Sequence, residues 1–116
     1  MNKKKILIID DEEDFCLLLR SFFLNKEVEV IVAHTLSIGL DSIKKHCPDI
    51  LFLDNNLPDG LGWGEVPSII KDYPLLELNL ISAYDNKEFN YLQGYPVKFW
   101  EKPLNIAELN KYATTL

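Results

Sequence analysis

The sequence predicts an α/β fold, a (βα)5 chain wound into a five-stranded parallel sheet with helices on both faces. Three observations predict it. Five short apolar runs alternate with longer amphipathic stretches along the whole chain. The first and third runs are almost continuously apolar, as strands covered on both faces of a parallel sheet require. Four of the five runs end in polar or charged residues, which would gather at one edge of such a sheet.

The runs are "KILIID" (5–10), "VEVIVA" (28–33), "DILFLD" (49–54), "LELNLIS" (76–82) and "VKFWE" (97–101). Their β-branched and aromatic content, and their shortness, favour strands over helices. Asn79 in the fourth run is out of place in a strand buried on both faces, and its surroundings in the sequence offer no explanation.

Helical spacing fills the intervals. Over 14–25 it puts Phe15, Leu18, Leu19, Phe22 and Phe23 on one stripe. Over 36–46 it aligns Leu36, Leu40 and Ile43, with Thr35 or Ser37 as N-cap and Pro48 as the stop. A third helix spans 65–72, where Pro67 fits only in the first turn. A short, weakly periodic stretch covers 86–93, and a last helix at 105–114 aligns Ile106, Leu109 and Tyr112 or Ala113. There is no internal repeat, low-complexity segment or linker, so one domain is expected over 1–116.

Composition narrows the function classes. Hydrophobic residues make up 47% and charged residues 26%, the profile of a globular rather than a disordered protein. Twelve basic and eighteen acidic side chains give a net charge of −6, which argues against direct binding of nucleic acid or an anionic membrane. The one basic cluster, Lys3-Lys4-Lys5, reads as a solvated lead into the first strand. Cys16 and Cys47 form no CxxC, and Cys16 lies in an apolar helical pattern suited to a buried, reduced thiol. Basic residues pass directly into an apolar run and then into acids, unlike a signal peptide, and no apolar stretch approaches the ~20 residues that span a bilayer. A cytoplasmic protein is expected.

The strand ends carry the chemistry. The first delivers Asp10 and Asp11, the third Asp54, the fourth Ser82 and Ala83, the fifth Glu101, Lys102 and Pro103; the second ends without a polar group. Three converging carboxylates repel one another unless a cation neutralises them, and Mg2+ commonly uses one or two carboxylates with waters and a phosphate. Lys102 adds a positive charge suited to an anion, and Ser82 a hydroxyl donor. Together they suit transfer of a phosphoryl group to Asp54, since a carboxylate can serve as the nucleophile. Taken singly, each has a plainer explanation. Glu12, Glu13 and Asp14 are favoured at a helix N-terminus by its dipole, Asp54 could cap a helix or loop, and Lys102 could be a surface residue. Asp59 in "PDG" reads as a turn residue, and His34 and His46 as solvated or helix-end residues.

These residues carry a resemblance. "IIDDEEDF", "DILFLDNNLPDGLGWG", "ISA" and "FWEKP" resemble the receiver domain of bacterial two-component response regulators over essentially the whole chain. The acid pair, the D-x-x-x-P-x-x-x-G stretch (Asp54, Pro58, Gly62) and the Lys-Pro pair are specific in combination. The resemblance implies a flavodoxin-like strand order 2-1-3-4-5 and Asp54 as phosphoacceptor, supplied by a phosphohistidine on a histidine kinase or histidine phosphotransfer protein. It implies Mg2+ held by Asp11 directly, by Asp10 partly through water, by Asp54, and by the backbone carbonyl of Asn56. Ser82 would turn toward the phosphoryl group beside the small Ala83, and Lys102 would pair with a phosphoryl oxygen ahead of a cis peptide at Pro103. Phe99 occupies the switch position, swinging inward to alter the face built from the fourth helix, fifth strand and fifth helix. A downstream protein or a fused output domain would read that face, with no direct contact to nucleic acid or membrane. The chain would be a phosphorylated signalling domain that assists its own phosphotransfer, not an enzyme.

The sequence departs from the family pattern between Ser82 and Lys102, where "QGYP" precedes the fifth strand and the fourth helix is short and aromatic-rich. Phe99 is expected in the core; Trp100, with Tyr91 and Tyr95 nearby, suits core or partner surface. Asn55, Asn56 and Tyr84 lie where the family varies and the phosphoryl lifetime is tuned. Two other functions compete. A receiver fold can act as an interaction module independent of phosphorylation. A hydrolase with an aspartate nucleophile is disfavoured because Asn56 stands where it would need an acid/base aspartate.

Overall fold

A computed structural model describes residues 3–24, 26–83, 92 and 94–116. Apart from Leu92, the expected helix at 86–93, and Tyr84 before it, lie outside the described residues. The elements run β1 (Lys4–Ile9), α1 (Glu13–Ser21), β2 (Val28–Ala33), α2 (Leu36–His46), β3 (Ile50–Asp54), β4 (Asn56–Leu57), β5 (Gly60–Leu61), a 3-10 turn (Gly62–Glu65), α3 (Val66–Asp72), β6 (Glu77–Ser82), β7 (Val97–Glu101) and α4 (Ile106–Ala113).

Five strands form the main sheet in the order β2-β1-β3-β6-β7, all parallel, so the five expected strands adopt the order 2-1-3-4-5. The miniature antiparallel pair β4–β5 and the 3-10 turn after β3 were not foreseen. Two-residue strands carry too little periodicity to be seen in a sequence.

Because side chains alternate across a strand, β1 and β3 feed two separate cores. Ile6, Ile8 and Phe52 pack with Cys16, Leu19 and Phe23 from the α1 side and Leu109, Tyr112 and Ala113 of α4. Leu7, Ile9, Leu51 and Leu53 pack on the opposite face with Leu36 and Ile43 of α2 and Val66 and Ile69 of α3. All five residues of β3 are buried, as a central parallel strand demands.

Helix ends follow local chemistry. Thr35 caps α2, its Oγ1 accepting from Ile38 N–H at 3.1 Å, and Lys44, Lys45 and His46 complement the dipole in its last turn. Asn105 caps α4 by accepting from Glu108 N–H at 3.0 Å. Pro67 lies in the first turn of α3, as required. The predicted first helix runs four residues too far at its C-terminal end: Phe22 and Phe23 bond back three residues, to Leu19 and Arg20, and close a turn. Its buried line runs Cys16, Leu19, Phe23, so Leu18 is 53% exposed instead of packed. Ile106 is likewise exposed, because α4 buries Leu109, Tyr112 and Ala113.

Asn79 is explained by partners distant in sequence. Its Nδ2 donates to Leu51 O at 3.4 Å and to Tyr112 Oη at 3.1 Å, and its Oδ1 accepts from Trp100 Nε1 at 3.0 Å. Tyr112 passes the chain on, donating to Glu77 Oε2 at 2.9 Å. Trp100 is therefore core, edge-on to Tyr112 with ring centroids 5.7 Å apart.

Candidate functional site

Parallel strand register brings the polar strand ends together. Ile9 of β1 pairs with Leu53 of β3, so Asp10 and Asp54 both follow that step at the carboxyl edge of the sheet. Asp54 pairs with Ile81, and Ser82 with Glu101. Lys102 N–H donates to Ser82 O at 2.8 Å, carrying the β6–β7 ladder one residue further. Asp10 N–H donates to Ala33 O at 3.0 Å, anchoring β1's end to β2 in the same way.

Asp10, Asp11 and Asp54 each direct a carboxylate oxygen to within 4.8 Å of the others. Asp10 and Asp54 are buried, at 0% and 3% exposure, while Asp11 faces solvent. Burial, reinforced by the charge of Asp10, pushes the Asp54 carboxyl up to about 7 despite the opposing pull of Lys102. Burial also raises Asp10, against its hydrogen bonds to Lys102 and Glu12.

Lys102 answers part of this charge. Its Nζ lies 2.8 Å from Asp10 Oδ2 and 2.6 Å from Glu12 Oε1, and 4.3 Å from the centre of the Phe15 ring. Burial alone would lower its pKa, but the bonds to Asp10 and Glu12 outweigh it and raise it. The Lys102–Pro103 peptide is cis. Asp10 Oδ1 accepts from Glu12 N–H at 2.9 Å, while the buried Oδ2 has the Lys102 ammonium as its partner among the described residues. Among the described residues, Lys102 thus neutralises Asp10 directly, while the neighbouring carboxylates of Asp11 and Asp54 have no ion pair of their own. Three hard oxygen donors close together, two of them on buried carboxylates, and solvent access on the Asp11 side fit a divalent cation that keeps part of its water.

The loop after Asp54 is folded tightly back. A Cβ at Gly62 would collide with the backbone oxygen of Asp54, so only glycine fits there. Gly62 N–H donates to Asn55 O at 2.9 Å, and Asn56 opens the β4–β5 pair two residues past Asp54. Asn55 is buried, its Oδ1 accepting from Trp63 N–H at 3.1 Å. Asp59 does more than turn the chain: its carboxylate accepts from Leu36 N–H at 2.7 Å and Ser37 N–H at 2.9 Å, tying the loop to the start of α2. Those two bonds hold its pKa below the ordinary value.

Asp10, Asp11, Asp54, Ser82 and Lys102 therefore share one edge of the sheet, and Phe99 stands three residues before Lys102 on β7, half-buried. Ser82 is buried and Ala83 exposed. His34 is exposed and places Nδ1 2.9 Å from Asp10 O, behind the acid pair. Tyr95 is exposed, outside the core. Glu12 takes part in the site through Lys102, a role its position in an acidic helix start conceals. Trp63 went unnoticed because no periodic pattern surrounds it in "GLGWG".

Solved structures share this architecture. A CheY-like response regulator receiver domain protein from Methanospirillum hungatei JF-1 superposes with a TM-score of 0.85 at 22% identity, over 98% of this chain and 93% of its own. A two component transcriptional regulator AraC from Clostridium phytofermentans ISDg reaches 0.78 at 26% identity, over 97% and 90%. In sequence, the KDP operon transcriptional regulatory protein KdpE of Escherichia coli K12 is 32% identical over 113 residues, covering 90% of this chain. The chain spans 47% of that relative's length. The family profile described as response regulator receiver domain matches residues 6–114, nearly the whole chain, and the protein belongs to that family.

Proposed function

We propose that residues 1–116 form one phosphoacceptor receiver domain in which Asp54 takes a phosphoryl group from a phosphohistidine on a histidine kinase or histidine phosphotransfer protein. The observation that carries this reading is the buried Asp54 carboxylate, sharing a strand edge with two further carboxylates and the Lys102 ammonium. A carboxylate oxygen of Asp54 attacks phosphorus; the O–P bond forms as the donor's N–P bond breaks, and the departing imidazole takes up a proton from water. Mg2+, held by Asp11, by Asp10 partly through water, by Asp54 and by the Asn56 carbonyl, would supply the charge neutralisation this transfer needs.

The protein's own groups do the rest. Lys102, bonded to Asp10 and Glu12 before transfer, exchanges those partners for a phosphoryl oxygen. The hydroxyl of Ser82 donates to another oxygen, and Phe99 follows it inward, changing the face formed by β7, α4 and the segment before β7. A downstream protein or a fused output domain reads that change. The free thiols of Cys16 and Cys47 suit a reducing cytoplasm, where we place this chemistry.

Incubation with acetyl phosphate and Mg2+, followed by intact-mass measurement, tests the reading. One added phosphoryl group is expected in the wild type and none after chelation or in Asp54→Asn. An unmodified wild type, or an equal adduct in Asp54→Asn, contradicts it.

A further inference from the structure

Trp63 is among the largest fully buried side chains, and it sits between the two parts of the switch. Its indole Nε1 donates to Leu53 O at 3.2 Å, one residue before Asp54. Its backbone N–H donates to Asn55 Oδ1 at 3.1 Å, one residue after Asp54. The other side of the indole meets Phe99 edge-on, with ring centroids 5.8 Å apart and planes at 68°. One residue thus holds the chain on both sides of Asp54, through its indole N–H before it and its backbone N–H after it, and its ring supports the ring on β7.

The grip has little slack. Gly62, immediately before Trp63, is pressed so close to the Asp54 backbone oxygen that no side chain fits. The indole therefore starts from a backbone position fixed by the end of β3. Trp63 is fully buried and Phe99 only half-buried, so the indole forms the floor beneath the Phe99 ring. Close-packed interiors leave no spare volume, so a ring standing on that floor cannot sink while the indole fills the space.

We propose that Trp63 is the positioning residue of Phe99: its bulk holds the ring half-out while Asp54 is unmodified and ties the ring's position to the end of β3. This rests on the receiver reading above. A side chain without a ring at 63 vacates the floor and lets Phe99 settle inward without any change at Asp54. Because inward Phe99 and a modified Asp54 favour one another, linkage requires such a variant to bind a phosphoryl mimic more tightly.

The test uses the full chain carrying 4-fluorophenylalanine at position 99, followed by 19F NMR with and without Mg2+ and beryllofluoride. In the wild type the ring signal moves from a solvent-sensitive to a solvent-insensitive position on adduct formation. In Trp63→Leu it already stands near the second position before beryllofluoride is added, and beryllofluoride affinity rises about fivefold or more. Trp63→Phe, which keeps a ring edge but loses the N–H, retains the wild-type pattern. A ring signal in Trp63→Leu that matches the wild type in both states, with unchanged affinity, overturns the proposal. If Trp63→Leu does not fold, 5-fluorotryptophan in the unmutated chain decides. The Trp63 resonance, assigned from Trp63→Phe, must move with Phe99 when the adduct forms, and a static one overturns the proposal. Bound beryllofluoride gives its own fluorine signal, so a failed receiver reading shows as absence of that signal, and the proposal falls with it. A bound signal with immobile rings refutes the Trp63 proposal alone.

Discussion

Two polar clusters are buried in this small domain, and they are finished differently. Around Asn79, four neutral or peripheral groups close a chain: Trp100 donates to Asn79, Asn79 to Tyr112, and Tyr112 to Glu77 at the surface. Around Asp54, three carboxylates converge, and Lys102, which pairs with Asp10, is already shared with Glu12. The first cluster satisfies itself and cross-links β6, β7 and α4. The second is left short of positive charge among the described residues, and burial raises the carboxyl groups of Asp10 and Asp54. A buried polar group that serves stability finds its partners within the fold, whereas one that serves binding leaves part of the demand open.

Mutations should therefore act with opposite signs at the two places. Asn79→Leu strands the Trp100 N–H in the core and should cost about 2–3 kcal/mol in urea unfolding. A smaller loss in the double variant Asn79→Leu, Trp100→Phe would show that the stranded donor is the cause. Asp54→Asn should instead stabilise the metal-free protein, by about 1–2 kcal/mol at pH 8, because it relieves repulsion between buried charges. The pH dependence fixes the sign. The Asp54 carboxyl stands near 7 in the folded chain against 3.8 as its ordinary value, so the folded state holds more protons between those limits. Stability then falls as pH rises through that window, and the loss is complete above pH 7. Thermal unfolding of wild type and Asp54→Asn should diverge from about pH 4 upward and differ little below it. Coincident curves at pH 8 would remove the contrast between the clusters.

Adding Mg2+ sharpens the same contrast. At a hundredfold excess over its dissociation constant it should stabilise the wild type by about 2.7 kcal/mol, with little effect on Asp11→Asn at the same concentration. Asn79→Leu should respond to Mg2+ as the wild type does, since the Asn79 cluster has no part in the site. The smallest effect belongs to Glu12→Gln. Its contact with Lys102 is short but its carboxylate is largely exposed, so a loss of about 0.5 kcal/mol is expected in urea unfolding.

The two clusters also differ in how well a sequence displays them. Asp10, Asp11, Asp54, Ser82 and Lys102 terminate strands, and once the strands are parallel their ends must share an edge. The convergence of these residues could therefore be read from the strand pattern, while their individual roles came from the family resemblance. Asn79 could not, because its side-chain partners lie 21 and 33 residues away on elements whose mutual distance no local pattern encodes. Trp63 was hidden for the same reason, its meaning residing in contacts with Leu53 and Phe99 across the α2–α3 face. Glu12 was concealed differently: an acid at a helix start needs no partner, so nothing in the sequence separates it from Glu13 and Asp14. The Leu18 and Ile106 stripes failed because helical spacing proposes an apolar face and packing chooses how much of it to cover.

The central claim is that the open demand at Asp54 is met by a phosphoryl group. The most direct measurement phosphorylates the chain with Mg2+ and acetyl phosphate, reduces the acyl phosphate with borohydride, and maps the peptides. Homoserine at position 54, and at no other aspartate, is the predicted result. Reduction at Asp10, Asp11 or Asp59, or at no position, would contradict the account.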